Sequence, residues 1–242
     1  MFSSAPLSTT SLSAEGIVIG GVTVELVTVT SKDTFTGSNG TLLTAHTPDI
    51  GNGWTLEEGT ALEITSNRAT QPAATNTTMA VETSTSDVVV EATLGQGDVN
   101  TKVGLAFRLQ DADHTWRVTI TNTAIALQYI DTSAFQRGTY FPPGGTIDTA
   151  FAIKVVAIGD QIEVYVDGVL QMEWTDTLLQ TETKCGIFAQ NDGGANQHID
   201  DFKVSGPFTL HATGSVGTVA VDFDSTIAVT GVAGTGAVGT TT

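Results

Sequence analysis

VGLAFRLQ (103–110), HTWRVTI (114–120), AIALQYI (124–130), FAIKVVA (151–157), QIEVYVDG (161–168), VLQMEW (169–174), KCGIFAQ (184–190) and IDDFKVSG (199–206) follow one another along the chain. In each, apolar side chains fall at every second position, the period of a strand with one buried face. Turn-forming residues stand at the joints: Asp111-Ala112-Asp113, Thr121-Asn122-Thr123, Gly159-Asp160 and Asp167-Gly168. A succession of short alternating strands joined by tight turns predicts an all-β fold, a β-sandwich of two stacked antiparallel sheets. Such a body is a scaffold, and its function lies in sites grafted onto it.

Outward from this stretch the chain divides into three. Residues 32–206 form the expected sandwich. Residues 1–31 form an N-terminal β arm, a Ser/Thr/Ala-rich start followed by strands at Ile17–Ile19 and Val22–Thr30. Residues 207–242 form a Gly/Thr-rich C-terminal β arm with an internal repeat: ATGSVGT (212–218) returns as GTGAVGT (234–240), with VAVDFDSTIAVTGV (219–232) between them. Short strands punctuated by glycine cannot bury a core alone, so both arms are expected to lie on other subunits of a large assembly.

Of 242 residues 40% are hydrophobic and 14% charged, enough apolar matter for one sizeable core. Acidic residues outnumber Lys plus Arg by 26 to 9, a formal charge of -17, which argues against nucleic acid as a partner. The most apolar run, GIVIGGVTVELVTV (16–29), alternates and contains Glu25, so it reads as strand and no membrane association is expected. The N-terminus shows neither the cationic start nor the apolar stretch of an export signal. Extracellular-type chemistry without such a signal suits a component assembled in a host cytoplasm and released by lysis. Cys185, the single cysteine, sits among apolar neighbours in an alternating strand and is expected to be a buried structural thiol.

Several segments carry a family resemblance. DTFTGS (33–38), GNGWTLEEGTALEITSNRAT (51–70), VGLAFRLQDADHTWRVTI (103–120), IKVVAIGDQIEVYVDGVLQMEW (153–174) and GIFAQNDGGANQHIDDFKVSG (186–206) together resemble the concanavalin A-like lectin/glucanase superfamily, in particular its laminin-G-like and carbohydrate-module members. The most specific part is the IEVYVDG hairpin followed by the closing DDFKV strand. The resemblance implies a jelly roll of two curved sheets, often with a carbohydrate site on the concave face or the edge loops. At the flanks, FSSAPLSTTSLSA (2–14) looks like the N-termini of bacteriophage structural proteins, and VTGVAGTGAVGTT (229–241) is similar to Gly-rich repeats of phage capsid-associated and tail-fibre proteins.

Glycoside hydrolysis needs two carboxylates flanking the scissile bond. Hydrolases of the superfamily carry them as E-x-D-x-x-E on one strand, and that pattern is absent. Glu163 with Asp167, or Glu91, read as a solvated strand and a turn, so no catalytic residues are assigned. His46, His114, His198 and His211 lack metal-pair spacing and read as exposed polar residues. Calcium, which seeks six to eight hard oxygens, is the one metal considered; Asp33, Asp192, Asp200 and Asp201 are its candidate ligands, and no other cofactor is expected. Parity assigns Trp116 to the core beside Val118 and Ile120, and Trp174 beside Met172. The opposite faces present Arg108, Gln110, Arg117, Thr119, Gln128, Lys154 and Glu163. The segment FQRGTYFPP (135–143) reads as a loop rich in the aromatic and arginine side chains favoured at binding hot spots. The candidate ligand-binding set is therefore Arg108, Arg117, Gln128, Arg137, Tyr140 and Phe141.

The expected function is a non-enzymatic phage virion protein, a capsid decoration or fibre-like appendage at the virion surface. It would display a lectin-like domain and attach by its arms to other virion proteins and to copies of itself, as a homotrimer. The alternative is a carbohydrate-binding host-adsorption module of the tail, with a host surface glycan as partner.

Overall fold

A computed structural model of the chain describes residues 27–95, 101–143, 149–190 and 197–207. Most of both expected arms, and Asp192 of the expected calcium set, lie outside the described residues. Among them the chain is all-β, apart from one 3-10 turn at Leu43–Ala45. The strands are β1 (Val27–Asp33), β2 (Thr55–Glu58), β3 (Glu63–Ile64), β4 (Ala69–Thr70), β5 (Asn76–Glu82), β6 (Val88–Gly95), β7 (Lys102–Asp111), β8 (His114–Ile120), β9 (Ile125–Asp131), β10 (Ser133–Tyr140), β11 (Phe151–Ile158), β12 (Gln161–Val166), β13 (Val169–Thr175), β14 (Lys184–Gln190) and β15 (His198–Pro207). No described helix is long and apolar enough to cross a membrane.

Two antiparallel sheets result. One has eight strands, in the order β13-β12-β11-β6-β15-β4-β3 with β1 also on β15; the other has seven, in the order β10-β9-β8-β7-β14-β5-β2. The predicted strands β7 to β9 and β11 to β15 appear where the alternation put them, and their apolar halves meet between the sheets. Leu105, Phe107, Trp116, Val118, Leu127 and Ile187 from the seven-stranded sheet share one core with Val90, Val155, Ile162, Val164 and Phe202 from the other. Trp54 joins them, 4.9 Å from Phe202. Strand β1 runs across the expected arm boundary at residue 31: Thr30 Oγ1 donates to the carbonyl of Val204, and Lys32 bridges to Ile50.

Three departures from strict alternation matter for the site. In β7 the register against β14 and β8 slips after Phe107, and Arg108 takes a left-handed φ of 47°. The bulge leaves one residue without a cross-strand place and turns Arg108 inward. Its Nη2 donates to the Gly159 carbonyl at 2.6 Å and lies 3.9 Å from Asp87 Oδ1, both on the other sheet, with the side chain fully buried. Arg108 is therefore a tie between the sheets and not the surface group that parity suggested.

The segment beginning at Phe135 is the second departure. It is not a loop: β10 pairs with β9 from Ser133 to Tyr140. Lying at the sheet's edge, β10 folds over β13 of the other sheet, where a Cβ on Gly138 would sit 3.0 Å from Met172 Sδ. The third departure is Trp174. It keeps the parity of Met172 but lies where the sandwich is open, 36% exposed, with the Arg137 guanidinium 5.7 Å from its ring.

Candidate functional site

The outer face of the seven-stranded sheet is built from the residues that alternation leaves outside. Two rows run across it. One is Gln136, Gln128, Arg117, Ala106, Gly186, Ala80 and Thr55, in order from β10 to β2. The next is Ala126, Thr119, Gly104, Phe188, Thr78 and Glu58. Gln128 and Arg117 of the first row and Phe188 and Glu58 of the second, with residues from the neighbouring strand ends and turns, line a groove of about 190 Å³. Its lining includes Arg117, Gln128, Phe188, Lys102, Glu58 and Asp113.

Arg117 defines the floor. From β8 its Nη2 donates to Thr78 Oγ1 on β5 at 3.2 Å and to the Ala112 carbonyl at 2.7 Å, with the guanidinium carbon 4.2 Å above the Phe188 ring. Strands β8 and β5 stand three places apart in the order, about 14 Å in a flat sheet. That is further than an arginine and one hydrogen bond extend, so the sheet curls toward this face, which is its concave side. The glycines allow the curl. A Cβ on Gly186 would lie 2.0 Å from the Met79 carbonyl oxygen, and one on Gly104 would lie 2.3 Å from that of Val118.

Arg117 is only 7% exposed. Burial pushes its guanidinium down to about 10, and the charges of Glu58 and Asp113 offset only part of that. Gln128 accepts from Thr119 Oγ1 at 3.3 Å, which fixes one side of the carboxamide. The turn that supplies Ala112 is organised by Asp111, whose Oδ1 accepts from the backbone N–H of Asp113 and of His114. Hydrogen bonding to Asp111, reinforced by nearby Asp131 and Asp113, raises the His114 imidazole above its ordinary range.

Only Arg117 and Gln128 of the candidate binding set reach this groove. Arg108 is inside the sandwich, Arg137 lies on Trp174, Tyr140 packs against the core margin, and Phe141 is 68% exposed past the end of β10. Phe188, Lys102, Glu58 and Asn76, which also line the groove, went unassigned in the sequence reading. Parity was available for Phe188, since its neighbours Ile187 and Ala189 are core.

Of the calcium set, Asp33, Asp200 and Asp201 fall among the described residues, and they form no metal-holding group there. Asp33 is wholly buried and its oxygens are engaged. Oδ1 accepts from Phe35 N at 2.7 Å and lies 3.0 Å from His46 Nε2, and Oδ2 accepts from Trp54 Nε1 at 2.7 Å. Three of the carboxylate's four lone-pair sites are thus taken by donors within the fold. Asp200 accepts from Asp201 N at 2.9 Å and lies 3.7 Å from Arg68 Nε. No described group of three or more acidic, His or Cys side chains is placed to hold a metal. Two histidines differ from expectation as well: His46 is tucked beside Asp33, and His198 is buried over Gly95. Cys185 is a buried free thiol, as the alternation predicted.

No family model matches the sequence, and no curated protein does. Solved structures do match in fold. β-Agarase A in complex with oligoagarose aligns over 77% of this chain and 94% of that one, at 15% identity and a TM-score of 0.54. A protein with a galectin-like fold from Bacillus subtilis aligns over 73% and 97%, at 10% identity and 0.48. The carbohydrate-binding module CBM66 from Bacillus subtilis aligns over 63% and 91%, at 16% and 0.45. The chain thus shares its two-sheet jelly-roll sandwich with β-agarase A.

Proposed function

We propose that the chain binds carbohydrate without cleaving it, in the concave groove of the seven-stranded sheet, and that its terminal segments fasten this lectin-like module to a bacteriophage virion. One observation carries the first part. A curled sheet gathers planar polar groups, Arg117, Gln128, Asn76 and Gln190, in one hollow beside the Phe188 ring. Saccharides offer rings of hydroxyl donors and acceptors, and a few convergent polar groups in a shallow hollow suit them.

Arg117, Gln128 and Phe188 on the central strands carry no carboxylate, and the acids of the lining, Glu58 and Asp113, come from an edge strand and a turn. This supports binding over hydrolysis, which needs two acids on either side of one bond. A glycan array probed with the full chain should give discrete binders, and incubation with them should release no reducing ends. Silence across the array, or steady release, would overturn the proposal.

The virion attachment rests on the sequences of residues 1–31 and 207–242. Partners there are other virion proteins and further copies of the chain, as a homotrimer at the particle surface, with many weak contacts acting together. Deleting either segment should abolish incorporation into particles while leaving glycan binding intact; full incorporation of both deletions refutes the attachment.

A further inference from the structure

The groove floor holds a cation that, among the described residues, no carboxylate touches and that Glu58 and Asp113 compensate only in part. Arg68, Arg108, Lys184 and Lys203 each lie within 4.0 Å of a carboxylate, respectively Asp200, Asp87, Glu57 and Glu91. Arg117, far more buried than three of these, forms no such pair; its acceptors are a hydroxyl and a carbonyl, and its Nε is buried with no hydrogen-bond partner. A guanidinium has five N–H donors in a planar fork that matches a carboxylate. A charge withdrawn from water and met directly only by dipoles and a ring face, with Glu58 and Asp113 acting from further off, gains from an arriving anion.

The rest of the molecule sets what kind of anion can arrive. Glu58 and Asp113 share the lining with Lys102 and Arg117, and the whole chain carries -17. Densely charged polyanions are repelled by that field, whereas one carboxylate among neutral rings meets little of it. We infer that the groove takes a saccharide bearing an isolated carboxylate, a single uronate or sialic acid among neutral sugars, seated against Arg117. This rests on the reading of the groove as a carbohydrate site.

The test is an array of neutral and acidic oligosaccharides that includes two matched pairs: 3′-sialyllactose with lactose, and aldotetraouronic acid with xylotriose. Affinities are then measured by titration calorimetry on the full chain. At least one acid member should bind at least about tenfold more tightly than its neutral partner. R117M should remove that difference, and K102Q, at a half-buried position that tolerates change, should lower it about two- to fivefold. R68Q, which deletes a cation elsewhere, should leave it unchanged. Equal affinity within both pairs, or binding confined to neutral members, overturns the inference and leaves the carbohydrate site standing. A wholly silent array removes both.

Discussion

Replacing Arg117 with methionine should cost the fold almost nothing, and this is a strong check on the reasoning about the groove. Burial brings the guanidinium well down from its ordinary value, to about 10. At about 1.4 kcal/mol for each tenfold in protonation, the charged form is ~3 kcal/mol less favourable in place than in water. R117M keeps the stem length over Phe188 and removes that charge. Against this stands the loss of the hydrogen bonds to Thr78 and Ala112, at about 1.5 kcal/mol each, the low end for a charged donor because one nitrogen makes both. The terms nearly cancel, so the expected stability change lies within about 1 kcal/mol of zero, on either side. For a body of this size that is a melting shift of no more than about 4 °C. Differential scanning calorimetry measures it directly, and urea unfolding gives the same quantity independently. A fall of 8 °C or more, ~2 kcal/mol, would show Arg117 to be a strut that the curled sheet needs. The claim that this cation is kept for a ligand would then lose its basis.

Three further outcomes follow from the described contacts. D33N turns an amide N–H toward one of the donors now bound to Asp33; it should lower stability by about 3 kcal/mol or more, a melting drop of about 6–12 °C, and a drop under 3 °C refutes the buried-acceptor role. Calcium should not raise the parent's melting temperature; a rise that D33N abolishes would return Asp33 to a metal site. His114 is raised by its bond to Asp111, so its contribution to stability is complete below the unfolded imidazole value and fades as pH climbs through the folded one. An NMR titration should place it above the free imidazole, with D111N bringing it down, and a midpoint unmoved by D111N refutes the pairing. Cys185, pushed up to about 12 by burial, should stay inert to Ellman's reagent at pH 8 until the chain is unfolded; prompt reaction of the native protein contradicts its placement.

How far the sequence could be read depends on where each residue's partners lie. Alternation is local, and it placed Val103, Leu105 and Phe107 correctly on the core side and Arg117 and Gln128 on the outer face. It failed one residue past Phe107, because counting by twos assumes a regular ladder. The bulge at Arg108 has no signature: a left-handed φ is announced by glycine, not arginine. Strand β10 was missed since an edge strand wetted on both sides has little alternation to show. Its aromatics and the Pro142-Pro143 pair suggested a loop instead. The environment of Asp33 was hidden for another reason. Two of its three partners, His46 and Trp54, stand 13 and 21 residues away, and nothing local says they return to one carboxylate. Arg117 shows the same limit at the site: its face could be read, its burial could not, because that depends on a curl bringing β5 toward β8.

The two outer faces of the sandwich make opposite use of the same rules. On the eight-stranded sheet the outward residues answer one another. Lys154 lies over Tyr165, whose hydroxyl donates to Glu163, and Lys203 pairs with Glu91. Side chains of matching height and opposite character cover that surface in cross-strand pairs. The seven-stranded sheet cannot be covered in this way. Backbone crowding at Gly104 and Gly186 forbids a Cβ at two central positions, so the curl itself enforces the hollow. Apolar side chains reaching in from the rim would bury more surface at no electrostatic cost. The chain instead lays one unpaired cation across the hollow, at a cost in stability that its own contacts only offset. A charge buried at no net gain to the fold is accounted for by a use beyond the fold, and in a groove open to solvent that use is to meet a charge arriving from outside.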